Sequence, residues 1–211
     1  MIVSTRAISR IAKVLGKTED ADHYSQQLEI FTQVLNDNFW DEERELFDDI
    51  YQDENGDMQF DGHIGYLNFW PFFLNALDPT SPRFASLATK RIDQDFGMWT
   101  PYGIASMSKN DPYYKMGDNY WTSPIWMNIN FLITKALFGY SQDERVPEQL
   151  RSEIKEAYGG LRRNLIDMIV GEYTRTGYIW EVYNDDTGAG MDNHPFTGWS
   201  ALIANLLAEI Y

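Results

Sequence analysis

The sequence predicts an all-α fold, a toroid of helical hairpins whose long loops gather on one rim. Three observations carry that expectation. Apolar residues recur at helical spacing through most of the chain. The segments between them alternate between short polar turns and long aromatic connections. No strand–helix alternation, glycine-rich phosphate loop or His-Glu-x-x-His motif interrupts the pattern. The helices amount to about half of those in a closed ring of six hairpins.

The first helix is expected over residues 5–15, with Ile8, Ile11, Ala12 and Leu15 inward and Gly16 as its stop. Thr18 is placed to cap the second, where Tyr24, Leu28, Phe31 and Leu35 share a face. Residues 38–62 break the periodicity, and Asn55-Gly56 marks a hairpin turn. The spacing of Asp53, Asn55 and Asp57 faintly resembles a calcium loop. The glycine falls one place early and the closing acid is absent, so a solvated turn is the better reading and no metal is assigned.

The block His63 to Leu74 is dense in aromatics and predicts a buried helix to about Leu77, with Pro71 in its first turn. Helix 82–93 follows, with Phe84, Leu87, Ala88 and Ile92 inward. Residues 94–120 form a connection too long and too aromatic for a linker, which reads as the wall of a site. Helix 121–139 packs through Ile125, Ile129, Leu132, Ile133 and Ala136. On its other face, Trp126 and Asn130 lie four apart and could offer a sugar a stacking ring and a hydroxyl reader. Packing of Trp126 against a neighbouring helix is the competing reading. A long helix is expected over 146–171, with Arg162 and Arg163 in solvent, and a last one over 197–210.

Composition narrows the class. The chain of 211 residues is 44% hydrophobic and 15% aromatic, enough for a sizeable core and for a concave surface lined with rings. A formal net charge of −15 argues against nucleic acid or an anionic membrane as partner. Without cysteine there is neither a disulfide nor a thiol nucleophile. No apolar run reaches the roughly 20 residues that span a bilayer, and residues 1–10 hold no apolar signal core. No cofactor is expected.

The most informative stretch is 177–199. It sets one acid, Glu181, between Trp180 and Tyr183, follows it with a turn rich in Asp and Gly, and re-enters helix through His194-Pro195-Phe196-Thr197-Gly198-Trp199. Rings stack on the apolar faces of pyranoses and a carboxylate activates water, so a sugar-cleaving site needs this grouping. A hairpin rim on a helical domain is the blander alternative.

Five blocks in order resemble one family, the processing α-glucosidase I group (mannosyl-oligosaccharide glucosidase, glycoside hydrolase family 63). They are Gly65-Tyr66 through Pro71, Trp99 through Ile104, Asn119-Tyr120-Trp121 through Trp126 to Asn130, Gly177 through Tyr183, and His194 through Trp199. Together they cover most of residues 60–211. The resemblance implies the C-terminal part of an (α/α)6 barrel spanning residues 1–211, with the N-terminal portion missing. It implies an inverting exo-α-glucosidase that removes the terminal glucose of the N-glycan precursor, a glucosylated oligosaccharide. In such enzymes a carboxylic acid protonates the leaving oxygen while a carboxylate about 6.5–9.5 Å away activates water.

Glu181 matches the family's general base. Trp99, Tyr120, Trp121, Trp126, Asn130, Trp180, Tyr183, His194 and Phe196 are then expected to line the substrate pocket. The family's general acid lies upstream of every matched block, so this chain is expected to carry half of the site. It is expected to expose an apolar face, to need the other half of the barrel as partner, and to be inactive alone. The endoplasmic reticulum lumen is the compartment that the resemblance implies for eukaryotic members. A trehalase-like toroid hydrolase and a non-catalytic carbohydrate-binding helical module are the alternatives.

Overall fold

The computed structural model describes residues 1–90 and 96–211, the side chains of 89 and 90 excepted. Helices α1 (Ile2–Val14) and α2 (Thr18–Asn38) form the expected hairpin. Its seam differs from the expected one. Small residues make it: Thr5, Ser9, Ala12 and Ala21 are buried, and Ser9 Oγ lies 2.9 Å from Ser25 Oγ. Of the four residues expected inward on α1, only Ala12 is buried, while Ile8, Ile11 and Leu15 are exposed. Close backbone approach explains this, because small side chains let two helices touch and push the larger ones outward. Lys17, not Thr18, occupies the N-cap of α2, and it makes no side-chain cap bond.

Two short hairpins follow, β1 (Trp40–Asp41) with β2 (Leu46–Phe47) and β3 (Ile50–Gln52) with β4 (Met58–Phe60). The Asn55-Gly56 turn joins β3 to β4, with Gly56 at φ 90°. Asp53 Oδ1 accepts the N–H groups of Asn55 and Asp57, at 2.9 and 3.0 Å. This use as a turn cap accounts for the spacing that resembled a calcium loop.

The aromatic block is shorter as helix than its periodicity suggests. A 3₁₀ turn (Tyr66–Phe69) leads into a single turn, α3 (Trp70–Phe73), with Pro71 in it as expected. Phe72 stacks on Phe84 at 5.5 Å, and Tyr140 meets Phe84 at 4.6 Å, which closes an aromatic core between α3, α4 (Pro82–Lys90) and α5 (Met127–Gln142). Phe84, Leu87 and Ala88 point inward as expected; Ile92 lies outside the described residues.

Helix α5 begins six residues later than expected. Pro124 removes a donor, and the backbone of Ile125 pairs instead with Tyr183, through N–H to oxygen bonds of 2.8 and 3.1 Å. Trp126 becomes the extended N-cap residue. Helix α6 (Glu148–Thr176) runs past Gly171 and stops at Gly177, whose left-handed φ of 78° suits glycine. Ile154, Leu161 and Leu165 bury its inner face. Arg162, expected in solvent, donates from Nε to the Leu206 carbonyl at 2.9 Å and so caps the chain's last helix.

After β5 (Val182–Tyr183) and β6 (Gly190–Met191), a 3₁₀ turn (Trp199–Leu202) feeds α7 (Ile203–Ala208). Helix α3 packs on α5, α4 on α6, α5 on α6, and α6 on α7. Three long connections separate the helices: 48–65 before the 3₁₀ turn and α3, 96–126 before α5, and 177–198 before the 3₁₀ turn and α7. No helix among the described residues is long and apolar enough to cross a membrane.

Candidate active site

Two loops build the site, 113–126 and 177–199. They meet through the Ile125–Tyr183 bridge. The second loop is the hairpin β5–β6, where Val182 faces Met191 and Tyr183 faces Gly190. That register sets Glu181 against residues 192–193, and its N–H donates to the Asn193 carbonyl at 3.0 Å.

The Glu181 carboxylate is 5% exposed. Oε1 accepts the Tyr120 hydroxyl at 2.7 Å and Oε2 accepts the Asn193 side-chain amide. The Tyr120 bond holds the carboxyl below the usual glutamate range against the opposing effect of burial, and Asn193 adds to it. Reciprocally, the Glu181 charge pushes the Tyr120 phenol up to about 12, so it stays a donor. The backbone is braced from the next element. The Glu181 carbonyl accepts Trp199 Nε1 at 2.8 Å and Ser200 Oγ at 3.2 Å.

Rings surround this carboxylate in series. Trp121 stacks on Trp126 at 3.8 Å and 5°, Tyr120 stands edge-on to Trp126 at 4.7 Å, Trp126 meets Trp199 at 5.5 Å, and Trp199 meets Phe196 at 4.8 Å. Trp121 keeps 54% of its surface exposed. It lines a cleft of about 410 Å³ with Trp70, Met107, Asp49, Asp61 and His63. Burial, with Asp48 and Asp61 nearby, raises the Asp49 carboxyl. A space of that size suits a small ligand.

The expected site residues separate into two groups. Tyr120 bonds to the Glu181 carboxylate, and Trp121, Trp126 and Phe196 are linked to it through ring contacts with one another and with Trp199. His194 is exposed and lies 3.8 Å from the Trp180 ring, which also packs on Gly190 and donates from Nε1 to Thr176 Oγ1 at 3.2 Å. Tyr183 is fully buried, and its hydroxyl accepts the Trp180 N–H at 3.2 Å. Trp126 is 2% exposed, so it backs Trp121 instead of offering a free face. Trp99 packs towards Gly160 of α6.

Asn130, expected to read hydroxyls at a helix mouth, is fully buried. Its Oδ1 accepts the Ile104 N–H at 2.8 Å, and its Nδ2 donates to the carbonyls of Ile104 and Trp126 and to Tyr66 Oη, at 2.9–3.0 Å. That amide welds the 96–126 connection to α5. Sequence reasoning missed Asn193, Trp199 and Ser200 as contacts of Glu181. A hairpin reading of 182–191 would have pointed to this end of the second strand, since the register sets Asp192 opposite the acid with Asn193 next to it.

The Glycosyl hydrolase family 63 C-terminal domain matches residues 1–209. The chain is similar to the probable mannosyl-oligosaccharide glucosidase of Schizosaccharomyces pombe, 36% identical over 207 residues, covering 98% of this chain and 25% of that protein. It is 33% identical over 215 residues to the mannosyl-oligosaccharide glucosidase of Saccharomyces cerevisiae, again covering 98% and 25%. The chain thus spans about a quarter of the length of these relatives.

Among solved structures, one titled "Sialidase" superposes with TM-score 0.75 at 17% identity, covering 95% of this chain and 18% of that one. A GH63 mannosylglycerate hydrolase from Thermus thermophilus in complex with glucose superposes with TM-score 0.66 at 19% identity, covering 98% and 43%. These likenesses carry the fold. With the match over residues 1–209, the chain belongs to the glycoside hydrolase family 63 C-terminal domain family.

Proposed function

We propose that this chain supplies the general-base half of an inverting exo-α-glucosidase site, acting on the terminal glucose of a glucosylated oligosaccharide. One observation carries the reading. The buried carboxylate of Glu181 accepts from two side-chain donors that favour its ionised form, and one of them, Tyr120, belongs to a series of packed aromatic rings. A base must be unprotonated to accept a proton from water, and a depressed pKa keeps it so down to acidic pH. The relatives' names, mannosyl-oligosaccharide glucosidase in both yeasts, support an N-glycan precursor as the substrate. In that reading the chain works in the endoplasmic reticulum lumen, together with the barrel portion that bears the proton donor, and the isolated chain does not turn over substrate.

The cleft beside Trp121 supports a sugar-sized ligand, with rings for the apolar pyranose face and Asp61 and His63 for hydroxyls. The test is the anomer released. The chain is grafted into the S. pombe relative in place of the matching region and supplied with a glucosylated oligomannose. ¹H NMR then shows β-glucose first if the mechanism inverts an α-linkage. Release of α-glucose first overturns inversion. Cleavage of trehalose or mannosylglycerate but not of the glucosylated oligomannose overturns the substrate.

A further inference from the structure

Asp185 is a carboxylate with no exposed surface, four residues beyond Glu181. A buried carboxylate costs several kcal/mol unless partners satisfy it. Among the described residues both of its side-chain partners come from one place, the 113–122 loop. Tyr114 donates its hydroxyl to Oδ2, and Lys115 Nζ stands 3.4 Å from Oδ1. Among the described residues no hydrogen bond reaches Oδ1, and Lys115 is the cation beside it. The next residue, Asp186, adds Lys115 again, and Lys109 at 2.9 Å.

The loop these partners belong to is held at its start by Asp111 and at its end by Trp126, and the Asp185 cluster ties its middle to the second loop. Lys115, Gly117 and Asn119 all take left-handed φ values, of 59°, 69° and 56°, and Tyr113, Met116 and Trp121 are exposed. Its far end carries Tyr120. Two ties besides the Tyr120–Glu181 hydrogen bond therefore join the two loops: the Ile125–Tyr183 backbone bridge and the Asp185 cluster. Opening the loop would strand Asp185 without partners, and this couples the loop's closure to the burial of that charge.

We propose that Asp185, through Tyr114 and Lys115, is the positioning residue that seats the 113–122 loop so that the Tyr120 hydroxyl meets the Glu181 carboxylate. Asp185 does not touch the carboxylate; it acts through Tyr120. The proposal deepens the general-base reading and rests on it for its catalytic meaning, but its geometry can be tested without turnover. The competing anchor is Trp126, whose Nε1 donates to the Tyr120 carbonyl at 3.1 Å. If Trp126 alone places Tyr120, removal of the Asp185 carboxylate leaves Glu181 untouched.

The experiment is a ¹³C NMR titration of the Glu181 side-chain carboxyl in the whole chain, with wild type, Asp185→Ala, Tyr120→Phe and the double variant. The expected result is that Asp185→Ala and Tyr120→Phe each move the Glu181 midpoint upward. The double variant moves it no further than Tyr120→Phe alone, because both act on one hydrogen bond. A variant that only loosened the fold would lower Tm and leave the midpoint in place. An unchanged midpoint in Asp185→Ala, or additive shifts in the double variant, overturns the proposal. If Asp185→Ala does not fold, Tyr114→Phe, which deletes one hydroxyl, decides the question by the same comparison. The general-base reading fails separately, when Glu181→Gln leaves hydrolysis intact; neither result can be mistaken for the other.

Discussion

The hydroxyl of Tyr120 donates to Glu181 Oε1 across 2.7 Å, joining two loops whose residues lie 61 apart in the chain. This contact favours the ionised carboxylate: the Tyr120 hydrogen bond lowers the Glu181 pKa, and burial opposes it. The donor and the acid come from separate connections, one leading into α5 and the other into α7. The chemistry therefore depends on how those connections are tied together.

Tyr120→Phe removes that donor and leaves the ring. The Glu181 pKa is then expected to rise towards the ordinary glutamate value. The sign follows from linkage: a depressed carboxyl is ionised over a wider acidic range, and loss of the donor narrows it. The acidic limb of a kcat/KM profile moves to higher pH, while the rate on the plateau changes less. A limb that stays in place contradicts the assigned hydrogen bond.

Asn130→Ala tests whether that amide reads sugar or supports the fold. It leaves the buried Ile104 N–H without its partner and takes one of two donors from the carbonyls of Ile104 and Trp126, which keep the Tyr66 hydroxyl and the residue-130 N–H. Roughly 2–4 kcal/mol of stability is expected to be lost, from the buried N–H left unsatisfied and one small cavity. Denaturant unfolding measures it. Oligosaccharide affinity per folded molecule stays within about twofold of wild type, because the side chain has no exposed surface.

Glu172 gives an acid dependence to the hairpin that carries the site. Its carboxylate pairs with Arg175 at 2.7 Å and accepts the Gly190 N–H at 2.9 Å, and the Arg175 bond lowers its pKa. A depressed carboxyl contributes stability above its unfolded pKa, and that stability disappears as pH falls through the folded value. Thermal unfolding of the wild type is therefore expected to weaken below about pH 4.5, the ordinary value for this group. Glu172→Gln is expected to start from a lower Tm at pH 7 and to lose less on acidification. Parallel Tm curves for the two proteins contradict this role.

Gly190→Ala addresses the Trp180 ring. An added Cβ falls 2.0 Å from Trp180 Cγ, so the indole or the β5–β6 hairpin must move. Overpacking of this kind costs about 1–3 kcal/mol. Trp180 fluorescence is expected to shift to longer wavelength as the ring leaves its seat between Gly190 and His194. Unchanged emission and stability would mean that the ring is not held there.

Much of this was legible in the sequence. The α1–α2 hairpin, the 3.6-residue stripes of α4 to α6 and the Asn55-Gly56 turn follow from local spacing. Glu181 stood out because aromatics and glycine isolate it. What periodicity could not show was where hydrogen bonds go over long separations. Ile125 looks helical by spacing, yet its backbone pairs with Tyr183, 58 residues away, and α5 waits for Trp126. Asn130 looks like a surface reader because it lies off the packing stripe of its helix; the Tyr66 hydroxyl and the Ile104 backbone, from other segments, cover that face. Small residues misled the reading of α1, since Ser9 and Ala12 carry almost no hydrophobic weight yet decide which side of the hairpin closes.

The most direct test of the account replaces one atom group in Glu181. Glu181→Gln keeps shape and burial, and it can still accept from Tyr120, but it cannot take a proton from water. With the chain grafted into the S. pombe relative and supplied with a glucosylated oligomannose, kcat is measured for both proteins. General-base catalysis typically contributes about 10²–10⁴-fold, and the account predicts a loss in that range with KM little changed. A loss of less than about tenfold contradicts the assignment of Glu181 as the base.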